Sequence, residues 1–387
     1  MRALLAGARR KQPALLQLLR RLVESESPST HKAAVDSCMA LAASHAKALG
    51  GRIKLHRQRK FGDVLEARFT PRPNSPSKST SAPPILLLGH LDTVWPLGTL
   101  SSMPWRIADG RISGPGILDM KAGVAMALTA LDMLTEASLI DREIILLLNP
   151  DEEIGSPVSR LVTEKLAAQS SAVYVLEPAQ GLACKTARKG TGNWRIDVTG
   201  VAAHAGLDFE KGASALLELA RLIEAVSGFT DLKRGLTVSV GTAGGGTATN
   251  VVPAHAWAEV DVRIARKSDG PRIERRFASL KAPAFHMLDP RCQLTLTGAI
   301  NRPPMERTRG TVQLYRRALA LATEFNYPLP EAAVGGASDG NFTSALGIPT
   351  LDGMGAVGQG AHASHEHILL DHLAPRTALL AAMLAGR

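Results

Sequence analysis

ILLLGHLDTV (85–94) and EIILLLNPDEEIG (143–155) decide the fold of this chain. Each begins with a run of apolar, strand-favouring residues too continuous for a half-exposed strand, so both read as strands covered on two faces, as parallel sheets require. AVYVLEP (172–178) has the same form. Between the first two, Met120 to Leu134 carries apolar residues at helical spacing and is expected to be the helix that joins them. Parallel strands joined by helices make an α/β core. In such open sheets ligands gather outside the carboxyl ends of the strands. Here those ends carry His90, the pair Glu152 and Glu153, and Glu177.

Working outward, Pro13 to Leu22 and His31 to Leu49 have helical apolar spacing, with the turn-rich SESPST between them. PRPNSPSKSTSAPP (71–84) reads as a surface loop between two strands. After Thr186 the texture changes. TGNWRIDVTG, LTVSVGTA and AWAEVDVRIA alternate apolar with polar residues as half-buried antiparallel strands do, and GASALLELARLIEAVSG and PRIERRFASL between them are helical. The expectation is a mixed, mostly parallel sheet flanked by helices, built from residues 1–186 and 296–387. Into it a smaller α+β two-layer sandwich, residues 187–295, is inserted. The chain closes on a helix, LAPRTALLAAMLAG, and carries no internal repeat.

Composition narrows the function. With 45% hydrophobic residues in 387, a sizeable core is affordable, and every apolar run breaks well short of the roughly 18 residues of a membrane span. MRALLAGARRKQP lacks the apolar stretch of a secretion signal, which favours a cytoplasmic location. Cys38, Cys184 and Cys292 are too few and too scattered for a disulfide framework or a thiolate cluster. The formal charge of +10 does not imply nucleic acid, because aromatics are only 4% and never interleave with the basic residues. It fits solvated helix faces and a general preference for anionic solutes.

The residues at the strand ends are cation donors. Two cations held about 3.5–4 Å apart need a bridging carboxylate and one or two further N or O donors each. Asp119 in GPGILDMKAG (114–123) can bridge, His90 and Glu177 can complete one site, and Glu153 with a histidine of GAHASHEH (360–367) the other. Chemistry alone leaves His362, His365 and His367 open. Asp92, two residues after His90, is close enough to accept a hydrogen bond from the imidazole nitrogen that faces away from the metal. Glu152 neighbours a donor without needing to be one, which leaves it free to take a proton from water and hand it to a leaving nitrogen.

HLDTV, GPGILDMKAG, DEEIGS, EPAQG and GAHASHEH, in this order and with an inserted sandwich domain, resemble the M20 dinuclear zinc metallopeptidases over about residues 12–385. Within that family the likeness is greatest to the glutamate carboxypeptidase G2 group. The resemblance implies His90, Asp119, Glu153, Glu177 and His362 as ligands of two Zn2+ per subunit, with Asp119 bridging and Co2+ or Mn2+ as substitutes. It selects His362 from the three histidines and makes Asp92 and Glu152 catalytic. Glu rather than Asp at 177 resembles carboxypeptidases and N-acyl deacylases more than aminopeptidases. The expected reaction is therefore release of a C-terminal amino acid, glutamate foremost, from peptides or N-acyl amino acids, with an N-acyl-amino-acid deacylase as the alternative.

The same resemblance suggests substrate contacts and a partner. Arg302 in NRPPME looks like the arginine that grips the substrate carboxylate, with the two-donor fork that task needs. Asn250 in TNVVP looks like a second carboxylate contact. His204 in GVAAHAG resembles a histidine that stabilises the oxyanion. Lys185 resembles a lysine opposite an acidic side chain. A homodimer through residues 187–295 is implied, with a small-molecule substrate and neither nucleic acid nor membrane as partner.

Two motifs compete with this reading. GASDG (336–340) fits the G-x-S-x-G nucleophile elbow, with Asp352 and His362 following in order, which would make Ser338 a serine-hydrolase nucleophile. The Pro/Gly-rich PLPEAAVGG before it is a poor elbow strand, and the resemblance makes the segment a Gly-rich loop beside a substrate pocket. GTAGGGTATN (241–250) lacks the Lys-Ser/Thr of a phosphate loop and reads as a turn of the inserted domain.

Overall fold

The computed structural model describes residues 2–71, 82–281 and 286–385. Most of the 71–84 stretch, expected as a surface loop, lies outside the described residues. The chain divides into two compact units, Met1–Ala187 with Arg307–Val334 and Ser338–Arg387, and Arg188–Glu306 with Gly335–Ala337.

The first unit is built on a six-stranded sheet in the order Arg52–His56, Val64–Phe69, Ile144–Asn149, Ile85–His90, Ala172–Val175, Thr350–Leu351. The last four run parallel and the first two pair antiparallel. Every residue of Ile85–His90 and Ile144–Asn149 is buried, as their unbroken apolar texture requires. Alternate side chains serve two cores. Ile85 and Leu87 join Leu15, Leu19, Leu131 and Leu380 from helices on one face, while Leu86 and Leu88 join Val173, Leu166 and Ala167 on the other. Truncating such a residue, Leu87 for example, costs about 2–5 kcal/mol.

Two helices of this unit have boundaries that differ from expectation. The first helix runs Arg2–Glu24 straight through Pro13, which the sequence suggested as its start. Gly7 and Ala8 extend the buried stripe of Leu15, Leu18 and Leu22, and that continuous burial outweighs the one helical bond Pro13 cannot make. The joining helix spans Ala122–Glu136, because Ile117–Lys121 forms a separate irregular turn.

The second unit is a two-layer sandwich. Its antiparallel sheet has the order Thr237–Gly245, His255–Ile264, Gly190–Thr199, Gln293–Arg302. Helices Ala215–Ser227 and Asp269–Ser279 cover one face through Leu219, Leu222, Ile273 and Phe277, the last stacked on Trp194 with ring centroids 4.3 Å apart. The boundary expected between 295 and 296 falls inside a strand. Gln293–Arg302 pairs with Gly190–Thr199 along its length, so the unit continues to Glu306. GTAGGGTATN is a turn only in its second half, since Gly241–Gly245 completes the strand that begins at Thr237.

Candidate metal centre

Register brings the donors together. His90 lies opposite Asn149, and Leu88 opposite Val175, so the three parallel strands end at one edge and release Asp92, Glu152, Glu153 and Glu177 there. Two glycines let the backbone close around Glu177. A Cβ at Gly123 would run into the Leu176 carbonyl oxygen, and one at Gly355 into the carbonyls of Leu176 and Glu177. Asp119 comes from the turn Ile117–Lys121, where its own φ/ψ of −115°/94° interrupts the helix and turns its side chain out of register. His362 sits at φ 62°, a left-handed conformation uncommon for residues with a Cβ and typical of functional sites.

All five expected donors converge, in two groups. His90, Asp119 and Glu177 form one and Asp119, Glu153 and His362 the other, with the donor atoms of each within 4.8 Å of one another. Asp119 is common to both. Its Oδ1 is 3.1 Å from His90 Nε2 and its Oδ2 is 3.5 Å from His362 Nε2. His90 Nε2 is also 3.6 Å from Glu177, and His362 Nε2 is 3.0 Å from Glu153. His367, by contrast, is buried in a strand with its Nδ1 2.8 Å from the His365 carbonyl oxygen.

Charge balance fits a cation centre. Burial works against ionisation of Asp119, yet hydrogen bonds from His362 and His90 outweigh it and hold this carboxyl far below its ordinary range. Hydrogen bonds to Asp119 and Glu153 push His362 up to about 10. Burial opposes the charged form of His90, but Asp119, Asp92 and Glu177 raise it well above the usual value. Burial lifts Glu153 to about 7, partly offset by His362. The carboxylates thus favour the positively charged form of both imidazoles, as they would favour a cation among them. Glu153 Oε1 is buried without a hydrogen-bond partner, an acceptor available for a cation. Imidazole nitrogen and carboxylate oxygen are the donors Zn2+ takes, and Co2+ or Mn2+ can use the same set.

Asp92 does more than its spacing suggested. It is fully buried, and His90 Nδ1 is 3.0 Å from its main-chain oxygen but 3.4 Å from its carboxylate, so the backbone makes the shorter contact. The carboxylate accepts from the amides of Glu152 and Glu153, both at 3.1 Å, and from Ser29 Oγ at 2.7 Å. It therefore pins the short turn Glu152–Ile154 that carries both acids. Glu152 itself is 8% exposed.

The remaining expected residues lie elsewhere in the chain. Lys185 is buried in the first unit, its backbone bridged to Asp352. His204, Asn250 and Arg302 belong to the second unit. His204 is exposed, its Nδ1 accepting from the amides of Gly206 and Leu207; Asn250 is exposed in a turn and Arg302 is buried at a strand end. Ser338 is not placed as an elbow nucleophile would be. It is 0% exposed and its hydroxyl donates to Asp352 at 2.6 Å, whereas an elbow serine must face the substrate. Sequence reasoning missed Glu366, whose carboxylate binds the turn holding Asp119; its only signal was an acid four residues after His362.

No helix among the described residues is long and apolar enough to cross a membrane. The family model described as Peptidase family M20/M25/M40 matches residues 86–386. Carboxypeptidase G2 of Pseudomonas sp. (strain RS-16) is 28% identical over 385 residues, covering 98% of this chain and 91% of that protein. The succinyl-diaminopimelate desuccinylase of Verminephrobacter eiseniae (strain EF01-2) is 28% identical over 313 residues, 76% of each chain. Among solved structures, aminopeptidase PepT from Bacillus cereus ATCC 10987 has the same fold, with a TM-score of 0.78 at 21% identity over 97% of this chain and 98% of that one. The family match spans most of the chain and coincides with the converged donors, so this protein belongs to peptidase family M20/M25/M40 and is a hydrolase.

Proposed function

We propose that this hydrolase is a metallocarboxypeptidase that uses two Zn2+ to release a C-terminal amino acid, glutamate foremost, from peptides or N-acyl amino acids. The observation that carries the reading is Asp119, one carboxylate oxygen toward His90 and the other toward His362. His90, Asp119 and Glu177 would hold one cation, and Asp119, Glu153 and His362 the other. Bound there, the cations supply positive charge that polarises the scissile carbonyl and eases ionisation of water. Glu152 acts as general base and acid: its carboxylate takes a proton from the attacking water and returns it to the departing amide nitrogen. Asp92 holds the Glu152 amide and so fixes where that carboxylate begins.

Arg302 and Asn250 are proposed to grip the α-carboxylate of the leaving residue, His204 to stabilise the oxyanion, and Lys185 to oppose an acidic side chain. The second unit, Arg188–Glu306, is proposed as the lid and the homodimer surface expected of residues 187–295, which sedimentation of the metal-loaded protein tests. The likeness to a desuccinylase supports a second reading, removal of a small acyl group from an amino acid. The chemistry is the same and the pocket distinguishes them. A panel of N-acyl-glutamate, N-acyl-aspartate, N-acetyl-ornithine and free dipeptides, each with and without zinc, tests both. Zinc-dependent release of glutamate at the highest kcat/KM supports the first; preference for free dipeptides, or hydrolysis without metal, overturns it.

A further inference from the structure

Glu366 is a buried carboxylate, 1% exposed, that takes four donors. Oε1 accepts from the amides of Leu118 at 2.8 Å and Asp119 at 3.1 Å. Oε2 accepts from the amide of Gly116 and from the indole Nε1 of Trp95, each at 2.9 Å. Burial pushes its pKa up while these four bonds pull it down. Three of the donors belong to the turn that presents Asp119, and the fourth to the segment that follows Asp92.

Glu366 also stands four residues after His362, in a tight stretch closed by the bonds from Ala363 N to Gly360 O and from Glu366 N to Ala363 O, each 2.9 Å. One side chain therefore fastens the turn of Asp119 to the segment of His362, although some 240 residues of chain separate them. His90 and Glu177 are fixed differently, by the ends of two paired strands. Loss of the Glu366 carboxylate would loosen two of the three donors in the group of Asp119, Glu153 and His362, but only one in the group of His90, Asp119 and Glu177.

We propose that Glu366 is a positioning residue for one cation of the pair, setting Asp119 against His362 so that the Asp119–Glu153–His362 group closes around its ion. The inference rests on the two-cation reading above. A glutamine at 366 has the same shape but presents an NH2 group to one pair of N–H donors, so two of the four bonds become donor against donor.

The test titrates metal-free protein with Zn2+ against a chromophoric chelator, and with Co2+ read by its visible absorption. Wild type, Glu366→Gln, Trp95→Phe and His362→Ala are compared, the last marking which ion belongs to that group. The expected result is two ions in wild type and, in Glu366→Gln, a loss of about 10- to 100-fold at the ion that His362→Ala also loses, with a clearly smaller loss at the other. Trp95→Phe removes one donor of four and should weaken the same ion to a smaller extent. This milder variant carries the comparison if Glu366→Gln does not fold. Equal weakening of both ions would mean a merely structural role and overturns the proposal. So do two ions bound as tightly as in wild type. A wild type that binds no zinc would sink the two-cation reading, and this inference with it; two ions in wild type with both variants unchanged sinks this inference alone.

Discussion

The amide of Glu152 donates to Asp92 Oδ1 at 3.1 Å, and Asp92 Oδ2 accepts from Glu153 at the same distance. One buried carboxylate thus fixes together the backbone of the proposed proton carrier and of a proposed cation donor. Asp92→Asn keeps the volume but sets an NH2 group against one of these amides. A fall of about 10- to 100-fold in activity or metal affinity is expected, the usual cost of losing a bond that orients a donor. Steady-state kinetics at saturating zinc, with metal content measured in parallel, checks it; unchanged values in both would remove Asp92 from the centre.

Glu152→Gln separates proton transfer from binding. Its amide bond to Asp92 is unaffected, so metal content and melting temperature should stay at wild-type values. Turnover should fall by about 10² to 10⁴, the usual worth of a general acid/base. Near-normal kcat would reassign the proton carrier.

Metal loading should follow pH with a defined sign. In the metal-free protein Glu153 titrates at about 7 and His362 at about 10. Both must lose their protons to bind a cation, so apparent affinity rises as pH rises and binding releases protons. Calorimetry of zinc binding at pH 7.5 in buffers of different ionisation enthalpy measures that release; no buffer dependence would contradict it.

Asp151 gives a second pH effect, on stability. Burial lifts its pKa from 3.8 to about 6, and Oδ1 has no hydrogen-bond partner. Between these values the folded protein holds a proton that the unfolded chain has lost, so this group's contribution is full below about pH 4 and falls away as pH rises through about 6. The span amounts to about 3 kcal/mol. Asp151→Asn cannot ionise, so its unfolding free energy in urea should exceed that of metal-free wild type above pH 6 and match it near pH 4.

Ser338→Ala removes the hydroxyl bonded to buried Asp352. The expected loss is about 1.5–3 kcal/mol of stability, the worth of one hydrogen bond to a charged group. Turnover by the folded fraction should remain within about tenfold of wild type, which urea denaturation together with kinetics would show.

Much of the site could be read because its donors follow uninterrupted apolar strands. Ile85–His90, Ile144–Asn149 and Ala172–Val175 are recognisable from burial on both faces alone, and parallel topology then dictates that His90, Glu153 and Glu177 share an edge. Asp119 and His362 have no such periodic frame. They sit on irregular turns: Asp119 is reached from the need for a bridging carboxylate, and His362 is selected from three histidines by motif likeness alone. The role of Glu366 could not be read because a carboxylate that collects backbone amides shows in the sequence only as an acid four residues after His362. The strand Gln293–Arg302 was cut short because it lies at a sheet edge with mostly exposed positions, where alternation is weak.

His90, Asp119 and Glu177 all precede the second unit along the chain, whereas His362 follows it. During synthesis on the ribosome, one trio can gather around an ion while the rest of the polypeptide is still being made. Thr350–Leu351 docks against Ala172–Val175 only afterwards. On the two-cation reading proposed above, the position built from His90, Asp119 and Glu177 has all its side chains before the second unit is made, whereas its neighbour waits for His362.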